Sequence, residues 1–588
     1  MTTMIFNGKK KALVTRLIGL SFVVCNLSMT IACSDFLYGD SDIVTYSDKE
    51  FLNSDADTLW SVTGIMNKLQ AIADRTILLG ELRGDLVTVT PNADADLRDI
   101  SQFTIDSDNK YNSPADYYAI INNCNYFIAH ADTALRNNRN EKIFMKEYAA
   151  VKAYRAWTYL QLALVYGSVP LVTEPIVSME QSEQSFPFYS LTDICLYFID
   201  DIAPYAEIEH PNYGLIRNTD SNLFYIPIYV LLGDLNLWVG NYRRAAENYY
   251  KYISLRNGRN SSYPIGTSSV RFMPNDSHWM STIDSWSMSS FGTESRTVNS
   301  ELITMIPGDS IPSEGNYSEL RDLFNTNERN EYKESIVPSP YLYQLSAAQR
   351  YCHYTSGGEY VFSPDGLDDH LSGDLRLQAS YRQSTVNMTL NGKRITNFVA
   401  NSKYDTRNVH LYRRSMVYLR LAEALNRAGF PRFAFQILKS GVNNSVIANE
   451  VLPYYPADEA WLRTFDFPDN VYVLETTAGG SNENTMGLHS RGCGYSNANT
   501  SYVLPDNEQL DDTQRLQYQI EKVEDLIVDE GALEFAFEGH RFYDLMRIAF
   551  RRNNHTFLAD HVARRNGTLD VSLLHKLSSA ECWYLKLK

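Results

Sequence analysis

The sequence predicts a mainly α protein, built as a superhelix of helical hairpins and broken by one long loop-rich stretch. Three observations carry this expectation. Apolar residues recur every three or four positions in several segments, which marks helices with a buried face. Two such segments share one spacing of small residues around a turn glycine. Between them, residues 255–410 are rich in Ser, Asn, Asp, Gly and Tyr and carry little helical period.

Ser113-Pro114-Ala115-Asp116 reads as a helix start. Ser can cap, Pro suits the first helical position, and Asp116 can complete a capping box. Tyr117, Ile120, Ile121, Cys124, Phe127 and Ile128 then mark its buried face. A second helix is expected over 143–166, apolar on most sides and stopped by Gly167 and Pro170. In 229–253 the turn glycine Gly240 has Gly233, Tyr242, Ala245 and Tyr249 around it. In 415–438 Gly429 has Ala422, Pro431, Ala434 and Leu438 at the same offsets. Small residues at two of these offsets let paired helices approach closely. The pattern resembles the tetratricopeptide repeat, so the expected fold class is mainly α, a tetratricopeptide-like α-α superhelix with a loop-rich, irregular ligand-binding lobe. The last strongly helical segment is expected at 514–551, after a second polar stretch at 466–512.

The chain has 588 residues, 44% hydrophobic and 21% charged, which excludes wholesale disorder. Its formal charge of −17, without a long basic run, argues against nucleic-acid binding. Forty tyrosines supply flat apolar faces with a hydroxyl, suited both to helix interfaces and to polar ring-shaped or peptide ligands. Tyr117, Tyr148, Tyr154, Tyr242 and Tyr249 lie in helical patterns and read as scaffold. Those between 261 and 400 are the ones that bear on a ligand.

Residues 1–32 carry Lys9, Lys10, Lys11 and Arg16, no acid, and a short apolar stretch from Leu17 to Ala32. This reads as an export signal. Thr30-Ile31-Ala32-Cys33 resembles a bacterial lipobox, which makes Cys33 the expected lipidated residue. No other run approaches the roughly 18 apolar residues of a spanning helix, so membrane attachment is expected through the lipid anchor only. The cysteines at 25, 33, 124, 195, 352, 493 and 582 show no paired spacing, hence neither a disulfide framework nor a zinc site. Cys124 and Cys195 read as small core residues.

Several motifs then agree in order. They are Gly80-Glu81-Leu82-Arg83-Gly84-Asp85, the helix Glu147–Leu160 running into Tyr166-Gly167-Ser168-Val169-Pro170, Tyr418-Leu419-Arg420-Leu421-Ala422-Glu423-Ala424, and Glu534 to Arg547 around Glu538-Gly539-His540-Arg541-Phe542-Tyr543-Asp544. Together they resemble the SusD/RagB family of outer-membrane nutrient-binding lipoproteins, over nearly the whole chain from Cys33 to about residue 550. The C-terminal tail departs, since Trp583–Lys588 lacks the proline often found there. The resemblance implies four tetratricopeptide-like hairpins, a loop-built ligand lobe and no enzymatic activity. It also implies capture of a glycan, or in some members a peptide, for a SusC-like TonB-dependent outer-membrane transporter at the cell surface. The expected division is a signal at 1–32, helical scaffold at 33–254, ligand lobe at 255–410 and returning scaffold at 411–588.

Within that lobe, Trp279, Trp286, Phe291, Tyr341, Tyr343, Tyr354 and Tyr360 lie in polar, turn-rich context, with Asn275 and Asp284 beside the tryptophans. Sugar rings pack on aromatic faces and need placed polar partners, so these nine are the candidate ligand-binding residues. Two other patterns invite chemistry. Glu534, Glu538, Arg541 and Asp544 stand three or four apart and would share one helix side. A glycosidase-like carboxylate pair is one reading, and an ion-paired face with Arg541 neutralising its neighbours is the favoured one. Arg83-Gly84-Asp85 reads as a turn with an internal Arg–Asp contact. The acidic groups Asn92/Asp94/Asp96/Asp99 and Asp365/Asp368/Asp369/Asp374 lack the EF-hand glycine and glutamate and read as solvated loops. No cofactor is expected, with a structural calcium left open.

Overall fold

The computed structural model describes residues 55–216, 219–257, 317–354, 376–468 and 502–587, with shorter pieces at 260–261, 271–275, 278–282, 301–308, 360–363, 373–374, 473 and 486–492. At 55–61, 256–257, 260–261, 271–275, 278–282, 352–354 and 360–363 it describes the backbone alone. The signal, Cys33, Asp284, Trp286, Phe291 and Asp365/Asp368/Asp369 lie outside the described residues.

The main helices are α1 (Asp55–Glu81), α2 (Ala95–Gln102), α3 (Pro114–His130), α4 (Met145–Tyr166), α5 (Leu191–Ile202), α6 (Ile228–Val239), α7 (Tyr242–Ser254), α8 (Pro340–Ala348), α9 (Arg414–Arg427), α10 (Pro431–Lys439), α11 (Asp512–Phe535), α12 (Arg541–Arg551), α13 (His555–Ala563) and α14 (Val571–Leu577). The fold is mainly α, as expected. Among the described residues its strands pair in antiparallel twos. They include β1 (Val87–Val89), β2 (Arg271–Asn275), β3 (His278–Thr282), β4 (Leu302–Ile306), β5 (Ile336–Pro338), β6 (Tyr351–Tyr354), β7 (Tyr360–Ser363), β8 (Tyr381–Leu390), β9 (Lys393–Asn401) and β10 (Val409–Arg413). The pairs are β1 with β5, β2 with β3, β4 with β10, β6 with β7 and β8 with β9.

The scaffold is a run of helical hairpins. α3 packs on α4, α6 on α7, and α9 on α10, and α7 in turn packs on α9. Gly240 (φ 83°) and Gly429 (φ 100°) make the two turns that the spacing marked, in a backbone region open to glycine. Gly233 shows why a small residue stands seven before the turn. A Cβ there would lie 2.3 Å from the Tyr249 ring of the facing helix. The Tyr249 ring occupies that space instead and donates its hydroxyl to Asp234 at 2.7 Å. Asp234 also takes Tyr412 and the Arg420 guanidinium, so one buried carboxylate ties the first repeat to the second.

α4 is buried on nearly every side, as its apolar sequence requires, and ends at Gly167. Cys124 and Cys195 are buried thiols. The start of α3 differs from its sequence reading. The Ser113 side chain makes no cap bond. Arg75 of α1 takes the Ser113 carbonyl and the Asp116 carboxylate instead, at 3.0 and 2.8 Å. One further correction concerns membrane spans. The 19 residues Ser221–Val239 are apolar enough to cross a membrane, yet 89% of that window is buried inside the protein. It is a core segment.

The 255–410 stretch is not all loop. β4 is wholly buried and pairs with β10, and β5 pairs with β1. β8 and β9 form a long hairpin closed at Asn391-Gly392, both at positive φ. An Asn-Gly pair between two strands is the strongest short-range hairpin signal a sequence offers.

Candidate functional site

Buried charge gathers where the 255–410 stretch meets the scaffold. The end of α11 brings Glu530 and Glu534, and the chain then turns through Phe537 (φ 74°) and Gly539 (φ 81°) to present Glu538. Arg413, the last residue of β10, bonds Glu538 at 2.7 Å, Glu534 at 3.0 Å and also Glu301. Arg491 joins Glu301 and Glu534 at 2.5 and 2.7 Å. Arg376 takes Asp374, Glu530 and Glu534 at 2.6, 2.5 and 3.0 Å. Lys403 closes on Glu538 and on the carbonyls of Glu534 and Ala536. All of these residues are buried.

Desolvating so many charges is costly unless each is paired. Burial pushes the Glu534 carboxyl up, but Arg491, Arg413 and Arg376 outweigh it and hold it well below the usual range. The balance runs the same way at Glu538 through Arg413 and Lys403, and at Glu530 through Arg376 and His489.

The members of this network stand at the feet of the lobe's segments. Glu301 immediately precedes β4, Tyr351 opens the β6–β7 hairpin, Asp374 and Arg376 lie shortly before β8, and Lys403 shortly follows β9. Tyr351 is fully buried, stacks on His489 with centroids 4.9 Å apart, and donates its hydroxyl to Asp374 at 2.8 Å. His489 in turn meets Glu530 at 2.8 Å. The β6–β7 and β8–β9 hairpins therefore rise beside a plate of paired charges, through Tyr351 at the foot of the one and Arg376 and Lys403 at the feet of the other.

Two neighbouring hairpins, β2–β3 and β6–β7, carry four of the nine candidate residues. Asn275 and Trp279 belong to β2–β3, where Asn275 pairs with His278 and Trp279 with Pro274. Tyr354 and Tyr360 face each other across β6–β7. β3 and β7 lie side by side. Tyr341 and Tyr343 sit elsewhere, on α8. Tyr341 turns inward to an edge contact with His561, while Tyr343 is exposed. Asp284, Trp286 and Phe291 lie outside the described residues.

Several sequence readings need correction here. Glu534, Glu538, Arg541 and Asp544 do not share a helix side, because the helix breaks between Phe535 and Arg541. Arg541 does not neutralise its neighbours. It makes a two-bond pair with Asp85, at 2.6 and 2.8 Å, and His561 joins from the other side at 3.0 Å. Burial raises the Asp85 carboxyl, but Arg541 and His561 reverse this and hold it far below its usual value.

Arg83 makes no bond to Asp85. It donates to the Leu79 and Trp583 carbonyls and the Tyr543 hydroxyl. The glycines of the two motifs explain why they go together. A Cβ on Gly80 would lie 1.7 Å from the Gly539 carbonyl oxygen, so the backbones touch there. Glu81 accepts from the Gly539 N–H at 2.9 Å. The tail without proline is well packed, with Trp583 fully buried.

Asp374 is buried on Arg376 and not solvated. Asp94 caps α2 through the Leu97 N–H and meets Lys110. Among the described residues no group of three His, Cys, Asp or Glu is arranged to hold a metal ion. Sequence reasoning passed over Glu301, Arg376, Arg413 and Arg491, which stand alone in polar segments without a periodic signal.

The model of the SusD family matches residues 505–573, which span α11 to the start of α14. Among solved structures, a SusD superfamily protein from Bacteroides vulgatus shares the fold at TM-score 0.54 and 15% identity, over 90% of this chain and 92% of that one. One from Bacteroides thetaiotaomicron gives 0.51 and 15%, over 84% and 89%. A SusD-like carbohydrate binding protein from Bacteroides fragilis gives 0.51 and 13%, over 86% and 88%. A search of curated protein sequences gives no match. The chain thus shares the fold of these SusD superfamily structures, and its residues 505–573 match the SusD family model.

Proposed function

We propose that this chain is a lipoprotein, acylated at Cys33 and displayed on the outer membrane, that captures an oligosaccharide or polysaccharide and delivers it to a SusC-like TonB-dependent transporter. The observation that carries the reading is the pair of neighbouring hairpins, β2–β3 and β6–β7, which bring the strand positions of Asn275, Trp279, Tyr354 and Tyr360 into one region, with β6–β7 anchored at the buried Tyr351. A rigid mount lowers the ordering cost of binding, and aromatic positions beside polar ones suit sugar rings. The shared fold with a carbohydrate binding protein from Bacteroides fragilis supports the same reading. In this assignment 255–410 is the ligand lobe, and 33–254 with 411–588 the scaffold.

Binding without hydrolysis is the reading the acids favour. A glycosidase needs one carboxyl that keeps its proton near neutrality. Glu534 and Glu538 are buried in ion pairs and held ionised by Arg413 and its neighbours.

Affinity electrophoresis of the full chain through gels carrying a panel of polysaccharides tests the proposal. Retardation by at least one glycan, lost in the Trp279→Ala/Trp286→Ala double variant, is the expected result. Unchanged retardation of that variant would remove the site. Retention on peptides alone would move the ligand class to peptides. Copurification with a large barrel protein tests the transporter partnership.

A further inference from the structure

The β8–β9 hairpin is a charge anomaly. Residues 381–401 contain Arg382, Lys393 and Arg394 and no acid, in a chain of formal charge −17. Its two faces differ in kind. On the inner face Ile395 and Val399 are buried, and Thr326 grips Val399 from both sides, its hydroxyl accepting from the Val399 N–H at 3.0 Å and its own N–H donating to the Val399 carbonyl at 3.0 Å. Lys393, at the tip, is paired with Glu331 at 2.7 Å.

The outer face follows from strand alternation. It carries Arg394, Thr396, Phe398 and Ala400 on β9. Across the ladder stand Thr389 opposite Arg394, Ser384 opposite Phe398, and Arg382 opposite Ala400. Phe398 is 37% exposed. Arg382 and Arg394 are exposed too, and among the described residues neither has a carboxylate within 4.0 Å. Asp405 lies within electrostatic reach of Arg382 without contact. The strand rise puts Arg394 about 13 Å from Phe398 along β9, and Arg382 on its other side about 7 Å away.

An aromatic platform between two unpaired guanidiniums, with hydroxyls between them, is a line of contacts with a definite chemistry. The ring accepts the apolar face of a sugar, and each guanidinium offers a planar fork of donors to an oxyanion. We propose that the outer face of β8–β9 binds an anionic glycan chain, with Phe398 under a sugar ring and Arg382 and Arg394 on its carboxylate or sulfate groups. The inference rests on the glycan-binding reading above and adds the charge class of the ligand. It uses none of the candidate residues on the β2–β3 and β6–β7 hairpins.

The test is affinity electrophoresis of the full chain against polygalacturonate (carboxylate), chondroitin sulfate (carboxylate and sulfate), starch and xylan (neutral), and polyglutamate. The wild type is expected to be retarded by one or both anionic glycans, less so as salt is added, because exposed charges are screened. Retardation by polygalacturonate would name carboxylate as sufficient, and by chondroitin sulfate alone would name sulfate. The Arg382→Gln/Arg394→Gln double variant should weaken this affinity about tenfold or more, since charge-assisted bonds are lost. Phe398→Ala should weaken it with the salt dependence kept. Both variants replace exposed side chains, and an unchanged Tm separates lost binding from lost fold.

Retardation only by neutral glycans, or undiminished retardation of the double variant by anionic ones, overturns this inference and leaves the glycan-binding proposal standing. Equal retardation by polyglutamate overturns it as well, because charge alone would then suffice. No retardation on any glycan gel would overturn both.

Discussion

The repeat hairpin α6–α7 and the charged junction where the 255–410 stretch meets the scaffold are both tightly buried, and they are held by opposite means. In the hairpin, apolar faces meet across a small residue, and Tyr249 fills the space that Gly233 leaves. At the junction, Arg376, Lys403, Arg413 and Arg491 meet Glu301, Asp374, Glu530, Glu534 and Glu538. Apolar contact is non-directional and tolerates modest change, whereas a buried ion pair demands its partner in one geometry. The difference suits the two tasks. A scaffold needs only to be stable, but hairpins that present the proposed binding surface would need fixed angles.

The comparison is broken most severely at Arg413. Arg413→Met takes one cation from each of Glu301, Glu534 and Glu538 and leaves Arg491, Arg376 and Lys403 to hold them, and the stability lost should be about 3–5 kcal/mol. Urea unfolding followed by tryptophan fluorescence measures it. A loss below about 1 kcal/mol would mean that the charges are not what holds the junction.

Glu81 gives a pH effect of the next size. Burial raises its carboxyl from 4.5 to about 7, only partly offset by the Gly539 N–H and Lys403. The folded state thus keeps this proton longer than the unfolded chain does. The contribution is full below pH 4.5 and is lost as pH rises towards 7. The cost across that window is about 3 kcal/mol. Asp74 and Asp529, both raised to about 6 by burial, act in the same direction. Glu81→Gln should flatten this decline, and denaturation at pH 5 and pH 8 is the measurement. An identical slope in the variant would assign the decline to other groups.

In the scaffold, Gly233→Ala forces a methyl against Tyr249 and should cost about 1–3 kcal/mol by overpacking. Pairing it with Tyr249→Leu should return part of the loss, which a double-mutant cycle reads out. Smallest of all is Tyr343→Ala on α8. Its ring is exposed, so stability should move by less than about 0.5 kcal/mol. A larger change would show that α8 depends on that ring for its packing.

Tyrosine shows how far the sequence could be read. Tyr117, Tyr154 and Tyr249, placed in the scaffold by helical spacing, are buried there. Within the lobe the same residue type divides again. Tyr351 and Tyr381 are buried, and Tyr343 is exposed. No local pattern separates them, because burial of a loop residue depends on what another segment brings over it. The Asn391-Gly392 hairpin was legible from its turn residues and alternation, although the surrounding polarity masked it.

By itself the sequence determined the helical class, the two repeat turns at Gly240 and Gly429, the end of α4 at Gly167 and the family motifs. Those features are encoded by neighbours within a few turns of helix, where periodicity and glycine act locally. Only the tertiary structure decided which charges meet. Asp85 finds Arg541 rather than Arg83, and Glu534 and Glu538 find Arg413, Arg376, Arg491 and Lys403 rather than their own helix neighbours. The physical reason is that a carboxylate has no periodicity to announce its partner. In a low-dielectric interior it takes the cation that the fold brings within reach, wherever that cation lies in the chain.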